Sequence, residues 1–155
     1  MLYVIVFFAF LIVDQLSKAL IEINDVHVTV IKDIFSIDLT RNPGAAFSML
    51  GDKPWGQTFF LIITIVALIA VVVFFIVEKK NSKWLNLSIT FIASGTVGNF
   101  IDRLAFKEVR DFINVHFFAN FNVADIAVTV GGIMFVVYFL FIDEDALSKG
   151  KKNDK

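Results

Sequence analysis

The sequence predicts an all-α membrane protein: four transmembrane helices, with a small extracytoplasmic β-sheet, or cradle, between the first two. Three observations carry this expectation. Of 155 residues, 57% are hydrophobic and 19 are phenylalanine, whereas water-soluble domains hold roughly 45–50% apolar residues. The run TFFLIITIVALIAVVVFFIV from Thr58 to Val77 is twenty residues without a charge. At ~1.5 Å per residue, that is about the length needed to cross a bilayer core. The segment ahead of this run alternates apolar and polar residues with the period of a strand.

The first span runs from about Leu2 to Ile21 and carries Asp14 and Lys18. It has no basic leader and no small-residue cleavage site after the apolar run, so it is expected to be a retained anchor. In the loop over 24–56, Val26, Val28 and Val30 alternate with polar neighbours. Phe35, Ile37 and Leu39 repeat the pattern after Lys32 and Asp33, which predicts a hairpin on the membrane. The second span is Thr58–Val77. The third, Leu85 to about Leu104, is more polar, with Asn86, Ser88, Thr90, Ser94, Thr96 and Asn99. The loop Ala105–Asn122 is rich in phenylalanine and is expected at the interface. The fourth span is Val123–Ile142.

Lysine density sets the orientation. Lys79, Lys80 and Lys83 join the second and third spans, and Lys149, Lys151, Lys152 and Lys155 lie in the basic tail over 146–155. Both segments fall on one side, which is therefore cytoplasmic, as are both termini. No repeat or low-complexity linker interrupts the chain, so a single domain over 1–155 is expected.

Composition excludes several chemistries. There is no cysteine, hence no thiol nucleophile, disulfide or Cys-ligated metal. His27 and His116 do not form a helical ligand pair, so no metal or other cofactor is expected. The formal net charge is −1, and no basic patch points to nucleic acid.

Ionisable groups inside a span cost roughly 2.5–3.5 kcal/mol each and persist chiefly where they pair or react. Asp14 and Lys18, at i and i+4, share a helix face and form either a self-neutralising pair or support for a site. Asn99, Asp102 and Arg103 make a polar stripe whose simplest role is structural. Asn122 followed by Asp125 is an ordinary helix start. Asp111, between Arg110 and Phe112, reads by itself as a solvated loop residue. Together, however, Asp102, Asp111 and Asp125 fall at one outer boundary, with Asp14 at a shallow depth. Two carboxylates sharing a low-dielectric site hold one proton between them, which supplies both a base and an acid. A proton or cation path in a small transporter would use the same residues.

Five strings bear on that choice: DQLSK (Asp14–Lys18), RNPGAAF (Arg41–Phe47), GNFIDR (Gly98–Arg103), VRDF (Val109–Phe112) and FNVAD (Phe121–Asp125). In this order, across four spans, the chain resembles the bacterial lipoprotein signal peptidases, also called signal peptidase II. The resemblance implies an aspartic endopeptidase of the bacterial plasma membrane. Such an enzyme removes signal peptides from diacylglyceryl-modified prolipoproteins, cutting before the lipidated cysteine near the outer leaflet. It implies a catalytic dyad at Asp111 and Asp125, supported by Asp14, Lys18, Asn42, Asn99, Asp102, Arg103 and Asn122. It further implies contact with membrane lipid, a monomer, and inhibition by globomycin.

Overall fold

A computed structural model describes residues 1–44, 53, 55–77 and 82–143. The expected basic segments around Lys79 and over 146–155, and the AAF end of the RNPGAAF string, lie outside the described residues. Four helices form the body: α1 (Leu2–Ile23), α2 (Gly56–Val77), α3 (Lys83–Phe106) and α4 (Val123–Val137), which continues through a π-helical turn at Tyr138–Ile142. Three of them, α1, α2 and α4 with its continuation, are long and apolar enough to cross a membrane.

Helix α3 matches them in length, at 24 residues, but is polar along much of one side. Its position explains this. It is the central helix, packed against α1, α2 and α4, so it buries Ser88, Thr90, Ser94, Gly95, Gly98 and Asp102 against neighbours. The hydroxyls return bonds to their own helix: Ser88 donates to the Leu85 carbonyl at 2.7 Å and Thr90 to that of Asn86 at 2.7 Å. Such groups need no outside partner. At one end of α3, Leu85, Ile89 and Tyr138 form an apolar cluster with Val71, Phe74, Phe135 and Phe139 around them. Asp102 lies near the other end, about 25 Å away at ~1.5 Å per residue.

The sheet is larger than the sequence predicts. Strands β1 (His27–Ile31) and β2 (Phe35–Asn42) form the expected hairpin, with Val28 opposite Ile37. The second outer loop, for which no strand is expected, adds β3 (Val109–Val115) and β4 (Asn120–Phe121). The result is one antiparallel sheet in the order β1-β2-β3-β4, not a sheet confined to the segment between the first two helices. The reason for the difference is burial: the first four residues of VRDFINV are buried on both faces of the strand, so period-2 alternation disappears from β3. Thr40 faces Asp111 and Arg41 faces Arg110 across the β2–β3 ladder.

The junctions are tight. Helix α3 closes on Lys107 in the left-handed region (φ 62°), whose amide bonds back to Arg103, and β3 starts two residues later. Helix α4 opens with a reciprocal capping box between Asn122 and Asp125.

Candidate active site

At the sheet end of the bundle lies a cavity of about 530 Å³, walled by Asn42, Gly44, Asn99, Arg103, Asp111 and Asp125 and by apolar side chains including Phe118, Ile126 and Val130. Asp111 reaches it from β3 and Asp125 from the first turn of α4. Asp111, which taken alone reads as a solvated loop residue, sits mid-sheet on β3 and is 1% exposed.

Three amides hold the two carboxylates. Asn42 Nδ2 donates to Asp111 Oδ2 at 2.9 Å, and Asn122 Nδ2 donates to Asp111 Oδ1 at 2.7 Å. Asn99 Nδ2 donates to Asp125 Oδ1 at 2.8 Å. The Asn122 backbone N–H donates to Asp125 Oδ2 at 3.0 Å, and the Asp125 amide donates back to Asn122 Oδ1 at 3.0 Å. Asn122 Nδ2 also donates to Asn99 Oδ1 at 3.1 Å, so the two acids are joined through an Asn99–Asn122 bridge.

The orientation of each amide follows from its other partners. The Oδ1 of Asn99 accepts from Lys18 Nζ at 3.1 Å and from Asn122, which leaves its NH₂ for Asp125. The Oδ1 of Asn122 is taken by the helix cap, which leaves its NH₂ for Asp111.

Lys18, 0% exposed, holds the layer beneath. Its ammonium donates to Asp14 Oδ2 at 2.9 Å and stands 3.4 Å from Asp102 Oδ2. Asp14 Oδ1 in turn accepts the backbone N–H of Ala124 at 2.9 Å, tying α1 to the start of α4. Arg103 donates to the Gly44 carbonyl at 3.3 Å and lies over the Phe60 ring, 5.8 Å from its centroid. Asp102 pairs with Arg110 at 2.8 Å and with Lys18, so the Asp102–Arg103 stripe divides: one residue braces β3, the other walls the cavity. Among the described residues, no buried side-chain nitrogen or oxygen lacks a partner.

Burial is the main influence on Asp111 and pushes its pKa up to about 6. The Asn42 and Asn122 donors and the Lys18 charge pull it down, while the Asp125 charge adds to the rise. A carboxyl of that pKa exchanges its proton near neutral pH.

All nine sequence-predicted site residues thus fall in one connected cluster. Gln15, Glu22 and Arg110 belong to the same network and are not evident from the sequence. Gln15 Nε2 donates to Asp14 Oδ2 at 2.9 Å and to Asp102 Oδ1 at 3.3 Å. Arg110 bonds Glu22 at 3.0 Å. Their only sequence signal is adjacency: Gln15 follows Asp14, and Arg110 precedes Asp111.

Two carboxylates thus share one cavity at an end of an apolar helical bundle. The chain belongs to the signal peptidase II family: the family described as "Signal peptidase (SPase) II" matches residues 6–141. It is 39% identical over 150 residues to a lipoprotein signal peptidase of Staphylococcus haemolyticus, covering 92% of each chain. It is 36% identical over 138 residues to one of Clostridium novyi, covering 84% of this chain and 91% of that protein. A solved structure described as "Bacterial membrane enzyme structure by the in meso method at 2.3 A resolution" aligns with a TM-score of 0.79 at 34% identity, over 99% of this chain and 91% of that one. The protein is therefore a bacterial membrane peptidase.

Proposed function

We propose that this peptidase is an aspartic endopeptidase that removes the signal peptide of diacylglyceryl-modified prolipoproteins, cutting before the lipidated cysteine. One observation carries the reading: Asp111 and Asp125 open on one cavity and are joined through the Asn99–Asn122 bridge. A water held between the carboxyls is deprotonated by the ionised member and attacks the scissile carbonyl, which the protonated member polarises. The resulting tetrahedral species breaks at the C–N bond, and the proton taken from water passes to the leaving amine. Neither a metal nor an organic cofactor enters this sequence of steps. Asn42, Asn99 and Asn122 hold the acids in register, and Arg103 holds the cavity wall at Gly44.

In this reading the chain is a single domain and acts as a monomer in the plasma membrane. Helix α3, the third in the chain, also spans the membrane, its polar side packed against the other three. Both termini are cytoplasmic, and the dyad waits at the outer leaflet, where two acyl chains hold the substrate. The apolar cavity wall at Phe118, Ile126 and Val130 suits such a ligand. A transporter reading is disfavoured because Asp14 and Asp102 are engaged by Lys18 and Arg110 rather than left as carriers.

The isosteric variants Asp111→Asn and Asp125→Asn test the proposal. Each is expected to insert and accumulate, yet to leave a lipidated precursor unprocessed in proteoliposomes. Cleavage by either at the wild-type rate would remove that residue from the dyad.

A further inference from the structure

We propose that Arg110 is a positioning residue for Asp111: it clamps the start of β3 onto α3 and α1, and so fixes where the carboxylate stands in the cavity. The inference rests on the dyad reading above. Adjacent residues of a strand project from opposite faces. Asp111 opens on the cavity, whereas Arg110 is not part of its described wall and is buried on the far side at 5% exposure.

There the guanidinium meets two elements, α3 and α1. Asp102 of α3 accepts from Arg110 Nη2 at 2.8 Å and from Nε at 3.3 Å. Its Oδ2 also accepts the Arg110 backbone N–H at 3.0 Å. Glu22, near the end of α1, accepts from Nη1 at 3.0 Å, and Gln15 Oε1 accepts from Nη2 at 3.3 Å. The Phe106 ring lies 4.4 Å from the guanidinium carbon. A planar fork with fixed donor directions is suited to this two-pronged grip, and a point charge is not.

The grip acts at the right place. Only Lys107 and Glu108 join α3 to β3, and the Asp102–Arg110 fork closes this connection across its base. The anchored backbone N–H belongs to the residue immediately ahead of Asp111. Helix α3 also carries Asn99, the donor to Asp125, so the clamp refers one carboxylate to the helix that orients the other.

Loss of the clamp should not unfold the protein, because each carboxylate keeps a second cation. Asp102 retains Lys18 at 3.4 Å, and Glu22 retains Arg41. The expected effect is misplacement of Asp111, and ~1 Å of misplacement is enough to cost ~100-fold in rate.

The test uses the full chain in proteoliposomes with a synthetic lipidated prolipopeptide, and compares wild type, Arg110→Met, Arg110→Lys and Asp111→Asn per unit of folded protein. Arg110→Met is expected to lower kcat by ~10- to 100-fold while KM stays within about twofold, because Arg110 does not face the substrate. Arg110→Lys restores the charge without the fork and is expected to stay several-fold below wild type in kcat. Wild-type kcat in Arg110→Met, or a rise in KM that accounts for the whole loss, overturns the proposal. If Arg110→Met fails to accumulate, wild-type kcat in Arg110→Lys overturns it equally. With Asp111→Asn inactive, those results remove only the positioning role. Turnover by Asp111→Asn would remove the dyad reading and this inference together.

Discussion

Asn122 donates to the Asp111 carboxylate at 2.7 Å while its own side-chain oxygen caps the helix that carries Asp125. One amide thus joins a structural duty to a positioning one. Because the cap occupies the carbonyl end, the NH₂ end can only point toward Asp111 and Asn99. Helix-start chemistry, usually a local matter, here sets the spacing of two acids from different elements.

Substitutions that keep the cap but alter the other end separate these duties. Asn122→Ser retains a capping oxygen and loses the donor to Asp111. Its melting temperature should stay close to wild type while turnover falls roughly 10- to 100-fold, the equivalent of about 1.5–3 kcal/mol for a hydrogen bond to a charged group. Asn122→Asp keeps an equally good cap but sets a third carboxylate against Asp111, so turnover should fall further at neutral pH and recover in part on acidification. Thermal unfolding and precursor cleavage measured on the same samples check both; a collapse of stability in the serine variant would mean that the cap duty dominates.

The acid–base behaviour of Asp111 gives a second expectation. Asn42 donates to its ionised form and so lowers a pKa that burial has raised to about 6. Asn42→Ala removes that donor, favours the protonated carboxyl and raises the pKa further. The limb of the kcat/KM–pH profile governed by Asp111 should therefore move to higher pH. A limb that stays in place or moves to lower pH would exclude Asn42 as the donor that tunes this acid. The same shift has a stability counterpart. With the folded pKa above the ordinary 3.8, the contribution of Asp111 is fully present below about pH 3.8 and is lost as pH rises through about 6.

Close approach of α3 and α4 is needed to bring Asn99 to Asp125. A methyl group at Gly95 would lie 2.2 Å from the Ala124 carbonyl oxygen and 2.8 Å from Val128 Cγ2. The first neighbour is backbone and cannot step aside, so Gly95→Ala should cost at least ~1–3 kcal/mol of stability. Activity should fall with it as the helices part. Gly132, two turns into α4, has nothing within 4 Å of the same added methyl. Gly132→Ala should leave turnover intact and stabilise the helix by roughly 0.5–1 kcal/mol. Denaturation of the two variants side by side is the measurement, and equal effects would show that the glycine contact does not set the helix spacing.

What the sequence made legible divides along physical lines. The helices were readable because a charge-free run such as Thr58–Val77 is a local property, as is the Asn122–Asp125 start signal. The β1–β2 hairpin was readable from its alternation. Strand β3 was not: burial on both faces removed the periodicity of VRDFINV, and its main partner, β2, lies some 70 residues away in the chain. Asp111 therefore looked like a loop aspartate beside a convenient arginine, and only the VRDF string marked it. Arg110 was hidden for the same reason, since its partners Asp102 and Glu22 become visible only when α1, α3 and β3 are brought together. The polar residues of α3 were legible as a departure from the other spans. Their cause, a helix enclosed by three neighbours, is a matter of packing that no single segment encodes.

The bond from the Ala124 amide to Asp14 spans 110 residues of chain, and it joins the earliest helix to the latest. A chain in which α4 has not yet docked lacks this link, and with it the contact of Asn99 with Asp125. The paired carboxylates of the cavity therefore come together only once α4 has docked against α1 and α3.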